Sequence, residues 1–216
     1  MLIQFFTVNV ELTGTKIDVF LVIDVPLMTK AANTDRERIV NILTDSFEDN
    51  KSVNYIINQD DKRKLRIKRL MEYSFEVCKM FGEVFITDDK KGCALLIYPE
   101  KKKTTLKSIL LDIKFITTCL GLGNIKKAMK REAAIHKAHP DGLLYYLWFI
   151  GVAQNEQHRG IGSDLMNNII TEAEKLNRTL CLETSTLKNI PWYEKFGLTI
   201  YKQFDFGYTL FCMKKD

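Results

Sequence analysis

The stretch Gln157-His158-Arg159-Gly160-Ile161-Gly162-Ser163 decides how the rest of the chain is read. It lies between an apolar run at residues 145–153 and a segment with helical spacing at 164–176. A strand that empties into a short glycine turn and then a helix offers the free N–H groups of the first helical turn, and the positive end of the dipole, to an anion. Gly160 and Gly162 lack a Cβ, so a phosphate can approach the backbone and unusual φ/ψ values cost little. A phosphate-bearing ligand is expected there. The loop is not a Walker A loop, because no Lys-Ser/Thr pair follows a Gly-x4-Gly run. It also lacks the third glycine of a dinucleotide fingerprint, and Asp164 is too close to act as a ribose acid. By itself a Gly-x-Gly turn fits an ordinary connection better than a binding site.

The flanking sequence shifts that balance. About thirty residues on stands a second block, Leu182-Glu183-Thr184-Ser185-Thr186-Leu187-Lys188-Asn189-Ile190-Pro191-Trp192-Tyr193-Glu194-Lys195-Phe196-Gly197-Leu198. Gln157-x-x-Gly160-x-Gly162 resembles the Q/R-x-x-G-x-G/A signature of the GNAT superfamily of N-acetyltransferases. The second block resembles that superfamily's later signature: a strand, an Asn, then a helix carrying Tyr ahead of a glycine. In motif it is most similar to puromycin N-acetyltransferase-like members. The resemblance is tight over residues 143–206, loose over 28–98 and absent over the first 25.

The resemblance implies an α/β fold with a central, mostly antiparallel twisted sheet flanked by helices. It also implies an acetyl-CoA-dependent N-acetyltransferase acting on a small-molecule amine by direct attack. Gln157, His158, Arg159, Gly160, Ile161, Gly162 and Ser163 would hold the pyrophosphate of coenzyme A. The backbone of Val152, Ala153 and Gln154, left unpaired where two central strands splay, would take the pantetheine arm by main-chain hydrogen bonds. Asn189 would bond the same arm, unless it serves only as a helix N-cap. Tyr193 takes the place of the acid that protonates the departing thiolate, a role its pKa of about 10 suits; by itself it reads as a core aromatic beside Phe196. Glu183, at a strand end, reads equally as base, amine anchor or solvated residue. A protein or peptide N-terminus as acceptor, and a non-catalytic acyl-CoA-binding module, stand as alternatives. Nothing in residues 105–140 matches an antibiotic site, so puromycin itself is not expected.

Composition sets outer limits. The 216 residues, 46% hydrophobic and 27% charged, are ordinary for a globular chain able to bury a substantial core. The net charge of +5 comes from lysine clusters such as 101–103 and 126–130. No aromatic-interleaved basic motif accompanies them, so no nucleic-acid partner is expected, and they read as solvated faces that help steer a polyanion. Five scattered cysteines without a C-x-x-C pair suggest reduced, buried thiols rather than a disulfide framework or zinc site. His136 and His139, at i, i+3, lack a third metal ligand and read as exposed helix-end residues; no metal is expected. No apolar run approaches the roughly 20 residues of a membrane span. The expected location is cytoplasmic, with no membrane partner; a homodimer is left open.

Periodicity fills in the elements. Residues 2–25 alternate with period two around Thr13-Gly14-Thr15, a β-hairpin. The resemblance begins near residue 28, which implies that residues 1–27 are an extra hairpin or upstream extension and 28–216 the N-acetyltransferase domain. Helices are expected from Asn33 onward and over 53–81 with a break near 58–61, strands over 83–87 and 94–98. Residues 105–138 read as helical with a break at 121–124; Leu106, Ile109, Leu110, Ile113 and Ile116, then Ile125, Ala128 and Met129, form stripes expected to face inward. A buried central strand, 143–152, then opens a βαβα unit, and a hairpin over 199–213 closes the chain. This mixed order predicts one domain whose antiparallel sheet holds a parallel pair in its middle.

Overall fold

The computed structural model describes residues 3–12, 15–24 and 28–215. Strands β1 (Ile3–Leu12) and β2 (Thr15–Asp24) pair antiparallel, Ile3 opposite Asp24, in a two-stranded sheet of their own. The Thr13-Gly14 part of the expected turn, Val25 and the side-chain parity of this hairpin lie outside what is described.

A seven-stranded sheet carries the rest. Its strands are β3 (Met28–Lys30), β4 (Gly82–Thr87), β5 (Gly92–Ile97), β6 (Leu144–Val152), β7 (Thr179–Thr184), β8 (Leu198–Asp205) and β9 (Thr209–Lys215), in the order β3-β4-β5-β6-β7-β9-β8. Every pairing is antiparallel except β6 with β7. That is the expected parallel pair, and it needs the crossover helix α6 (Ile161–Lys175).

Helices α1 (Arg36–Ser46), α2 (Lys51–Ile56) and α3 (Arg63–Phe81) pack on one face around Ile39, Leu43, Ile67, Met71 and Phe75. The break between α2 and α3 falls where expected: Asp60 accepts from the Lys62 N–H at 3.0 Å and binds the Arg66 guanidinium. Helix α3 runs directly into β4 at Gly82, where a Cβ would lie 1.9 Å from the Leu96 carbonyl oxygen. On the other face α6 and α7 (Ile190–Glu194) close a second core with Leu165, Met166, Ile169, Tyr145 and Leu182. Each such buried aliphatic or aromatic side chain contributes about 1.5–3 kcal/mol by leaving water. All five cysteines are buried and free.

Between β5 and β6 come α4 (Leu106–Phe115), a wider π-type turn (Ile116–Leu120) and α5 (Ile125–Ala138). The expected inward stripe holds at Ala128, which is buried, and is corrected elsewhere. Leu106, Ile109, Leu110, Ile113 and Met129 are exposed, and no residue of α4 is fully buried. The helix instead turns Leu111 and Phe115 inward, with the Phe115 ring stacked on Tyr73 of α3 at 4.4 Å. A one-residue change of phase, about 100° of rotation, is invisible to spacing alone in so apolar a helix. No single helix among the described residues is long and apolar enough to cross a membrane.

Candidate active site

Strands β6 and β7 pair only over three residues, Leu144 with Thr179, Tyr145 with Leu180 and Tyr146 with Cys181. Beyond them β6 continues to Val152 without β7 as a partner, while β7 keeps β9 on its other edge from Leu180 to Thr184. On its other side β6 pairs with β5, with a register shift between Leu95 and Leu96 that leaves Trp148 as the extra residue. Such a bulge flips the alternation of faces. Trp148 and Phe149 both pack toward the α1/α3 core, and Ile150 then joins the α6 side. The Ala153 N–H donates to the Lys91 carbonyl at 2.8 Å, so Val152, opposite Gly92, occupies a non-hydrogen-bonded pair. Its peptide groups, and those of Ile150 two residues back, therefore point into the gap between the strands. Ala153 departs from expectation: its N–H is already engaged with Lys91, because the pairing phase turns it toward β5.

The gap opens into a cavity of about 880 Å³. Gly151, Val152 and Gln154 line it from β6 and the turn beyond, and Gln157, His158, Gly160, Ile161, Gly162 and Ser163 from the glycine loop. Leu182, Glu183, Asn189, Trp192 and Tyr193 line it from the β7 side. Arg159 is exposed and paired with Glu156 at 3.0 Å, outside the lining. Gly160 takes φ +87° as the N-cap of α6, with open space where a Cβ would stand. The Ser163 and Asp164 N–H groups turn back onto the Gly160 carbonyl, and those of Ile161 and Gly162 precede the first helical bonds. The Trp192 indole N–H donates to Ser163 Oγ at 3.3 Å, pinning α7 to this turn. Asn189 stands at the N-cap of α7 but makes no side-chain cap bond, so the capping alternative does not hold its amide.

Tyr193 is buried, and burial pushes its phenol well above the ordinary range, so it carries its proton at neutral pH. Glu183 is buried too, which lifts its carboxyl to about 7 against the Tyr146 hydrogen bond and the charge of Arg131. Tyr146 donates to Glu183 Oε2 at 2.5 Å. His139 is corrected: its side chain is only 12% exposed, with Nε2 3.9 Å from Glu183 Oε1. The turn 139–142 brings the His139 ring against Tyr146, 5.1 Å between centroids, which an i, i+3 spacing does not reveal. Beside Glu183, the Arg131 guanidinium of α5 donates to Ser52 Oγ of α2 at 2.5 Å and to Tyr208 Oη, in the β8–β9 turn, at 3.0 Å. Sequence reasoning missed Asp45, Ser46 and Asn50 near the end of α1, Trp148, and Lys188, all of which line the cavity. Only Lys188 lay within a motif already singled out.

Comparison with known proteins bears on this arrangement. The model of the acetyltransferase (GNAT) family matches residues 77–198. A structure described as histone acetyltransferase HPA2 and related acetyltransferase, from Corynebacterium glutamicum, superposes with a TM-score of 0.64 at 18% identity, covering 88% of this chain and 95% of that one. The C-terminal condensation domain of Ebony, in complex with beta-alanyl-dopamine, gives 0.62 at 12% identity over 87% and 97%. A mosquito arylalkylamine N-acetyltransferase like 5b gives 0.54 at 13% identity over 87% and 98%. At these identities the likeness concerns the fold.

Proposed function

Because the chain belongs to the GNAT acetyltransferase family, we propose that it transfers the acetyl group of acetyl-CoA to the amine of a small molecule by direct attack. The observation that carries this reading is the parting of β6 from β7. It sets the Ile150 peptide groups, the Val152 N–H (the Val152 carbonyl accepts from Ser46 Oγ at 3.2 Å and Gln157 Nε2 at 3.4 Å), the first turn of α6, the Tyr193 phenol and the Glu183 carboxyl on one cavity. The residues present fit the donor. The loop approaches an anion with backbone alone, and an extended amide-bearing arm would be received by the free edge of β6.

In the proposed reaction Ile161 and Gly162 N–H groups hold the pyrophosphate, with Gln157, His158 and Ser163 around it and Arg159 at its edge. Val152, Gln154 and Asn189 orient the arm, and a peptide N–H of β6 stabilises the oxyanion. Glu183 takes a proton from the amine, whose nitrogen bonds the carbonyl carbon. Tyr193 gives its proton to sulfur as the C–S bond breaks, and recovers one from solvent while Glu183 releases its own.

A small acceptor is favoured over a protein chain. The Arg131–Ser52–Tyr208 contacts tie α5, α2 and the β8–β9 turn together beside Glu183, where a peptide would need an open groove. The likeness of residues 182–197 to puromycin N-acetyltransferase-like members supports the same choice. The test is release of free thiol from acetyl-CoA across a panel of small amines and of peptides. Turnover with small amines supports the reading; turnover with peptides alone, or none with any acceptor, overturns it.

A further inference from the structure

Glu183 Oε1 and His139 Nε2 are both fully buried, face each other across 3.9 Å, and have no hydrogen-bond partner. Leaving a buried polar atom unpaired is costly, because its lost hydration is not replaced, and most buried polar atoms find a partner. The second carboxylate oxygen is already held by Tyr146. Burial, reinforced by neighbouring His136, lowers the His139 pKa, so its ring is neutral and Nε2 presents a lone pair when the proton sits on Nδ1. Two facing acceptors are satisfied together by one nitrogen bearing two or three hydrogens.

Beside this pair opens a second cavity of about 390 Å³ between α3, α4, α5 and β6, within the size range of small-molecule pockets. His139 and Tyr146 form its inner end, and Trp148 lines both this cavity and the larger one. One wall is aromatic and apolar: Tyr73 meets Trp148 edge-on at 6.3 Å, with Phe81, Val77 and Ile97 alongside, while Thr104, Ser108 and His136 add polar groups elsewhere. The carboxylates near it are engaged, Asp112 by Tyr73 and Glu132 by Arg131. Exposed Lys102 and Lys103 line its outer part.

We propose that this second cavity is the acceptor pocket, with the amine nitrogen bonding both Glu183 Oε1 and His139 Nε2 from one side of the line joining them and an aromatic or branched apolar arm against Tyr73 and Trp148. The inference rests on the reading of Glu183 as base. It names the substrate class as monoamines with an uncharged arm, because Lys102 and Lys103 repel further positive charge and the two carboxylates of the lining, Asp112 and Glu132, are already bonded to Tyr73 and Arg131. His139 thereby becomes a second residue that touches the acceptor.

Two measurements on the full chain test it. The first is binding of phenethylamine, read without turnover by calorimetry in the presence of coenzyme A, to the wild type, His139→Ala and His139→Gln. The second is steady-state KM for phenethylamine, spermidine and acetyl-CoA. The proposal expects phenethylamine to bind, His139→Ala to weaken it at least tenfold, and the KM for acetyl-CoA to stay within twofold. It also expects spermidine to be at least tenfold poorer than phenethylamine. Binding that depends on His139 with no transfer to any amine would leave the pocket standing and sink the proposed function. Transfer with an amine KM indifferent to both variants, or better use of spermidine, overturns the pocket while the function stands. His139→Gln retains a polar side chain and decides the matter should the alanine variant fail to fold.

Discussion

Tyr146 and Glu183 sit on neighbouring parallel strands and are joined by a 2.5 Å hydrogen bond at the point where those strands part. The last paired residue of β6 thus fixes a carboxylate that belongs to the open end of β7. Burial holds the Tyr146 phenol well above its ordinary range, so it acts as a fixed donor. The carboxylate keeps one oxygen for the cavity.

Glu183→Gln removes the group that titrates near 7. The groups facing it are Tyr146 of β6, His139, Arg131 and Glu132 of the α5 region, Cys181 on its own strand, and Cys212 and Tyr201 of β9 and β8. Wild-type kcat is expected to rise through about pH 7 as Glu183 ionises, and this limb is expected to vanish in the variant, measured as a kcat–pH profile.

Stability carries the opposite sign. Between 4.5 and about 7 the unfolded chain has lost the Glu183 proton while the folded one keeps it, so the wild type loses stability as pH rises through that window. Thermal melts at pH 5 and pH 8 are expected to show Glu183→Gln gaining on the wild type at the higher pH.

Tyr193→Phe keeps the ring and its packing against Trp192, at 4.9 Å between centroids. The hydroxyl's loss is expected to lower kcat by about 100-fold with little change in Tm or in acetyl-CoA affinity by calorimetry. Equal loss of turnover and binding would mark the residue as structural.

Gly160→Ala places a side chain at φ +87° with no steric neighbour. The left-handed backbone alone costs about 1–2 kcal/mol, a Tm decrease of roughly 2–8 °C at this chain length. Acetyl-CoA KM is expected to rise as the loop relaxes, and steady-state kinetics with the melt measure both.

Arg131→Met keeps the apolar stem but removes the charged bonds to Ser52 and Tyr208. The expected loss is about 1.5–3 kcal/mol per bond to a charged group. Faster amide hydrogen exchange over residues 125–138 and in the β8–β9 turn is the readout.

Much of this was legible in advance. Glycine turns, caps and period-two runs depend on local chemistry, so α6, β7, the β8–β9 hairpin and the α2–α3 break stand within a few residues of where spacing places them. The parallel pair followed from element order, and the cavity lining from Gln157–Ser163 and Leu182–Tyr193. What escaped is what several elements decide jointly. The inward face of α4 is chosen by Tyr73 of α3, whose ring Phe115 meets. His139 is buried by a turn returning beneath β6, and Ala153 is diverted by Lys91 of the β4–β5 turn. No window of neighbouring residues contains those partners.

The extra residue at Trp148 has a consequence for how this chain can vary in length. Beyond it, Gly151 faces Leu43, where a Cβ would stand 2.9 Å from that side chain, while Val152 faces Gly162. Removing or adding one residue between Leu147 and Gly151 would exchange those orientations for every position up to the loop, pressing Val152 into Leu43 and turning its amide toward β5. Drift in loop size is tolerable elsewhere in the molecule, but this span is locked to its count, and an aligned relative with a gap here has a differently built cleft.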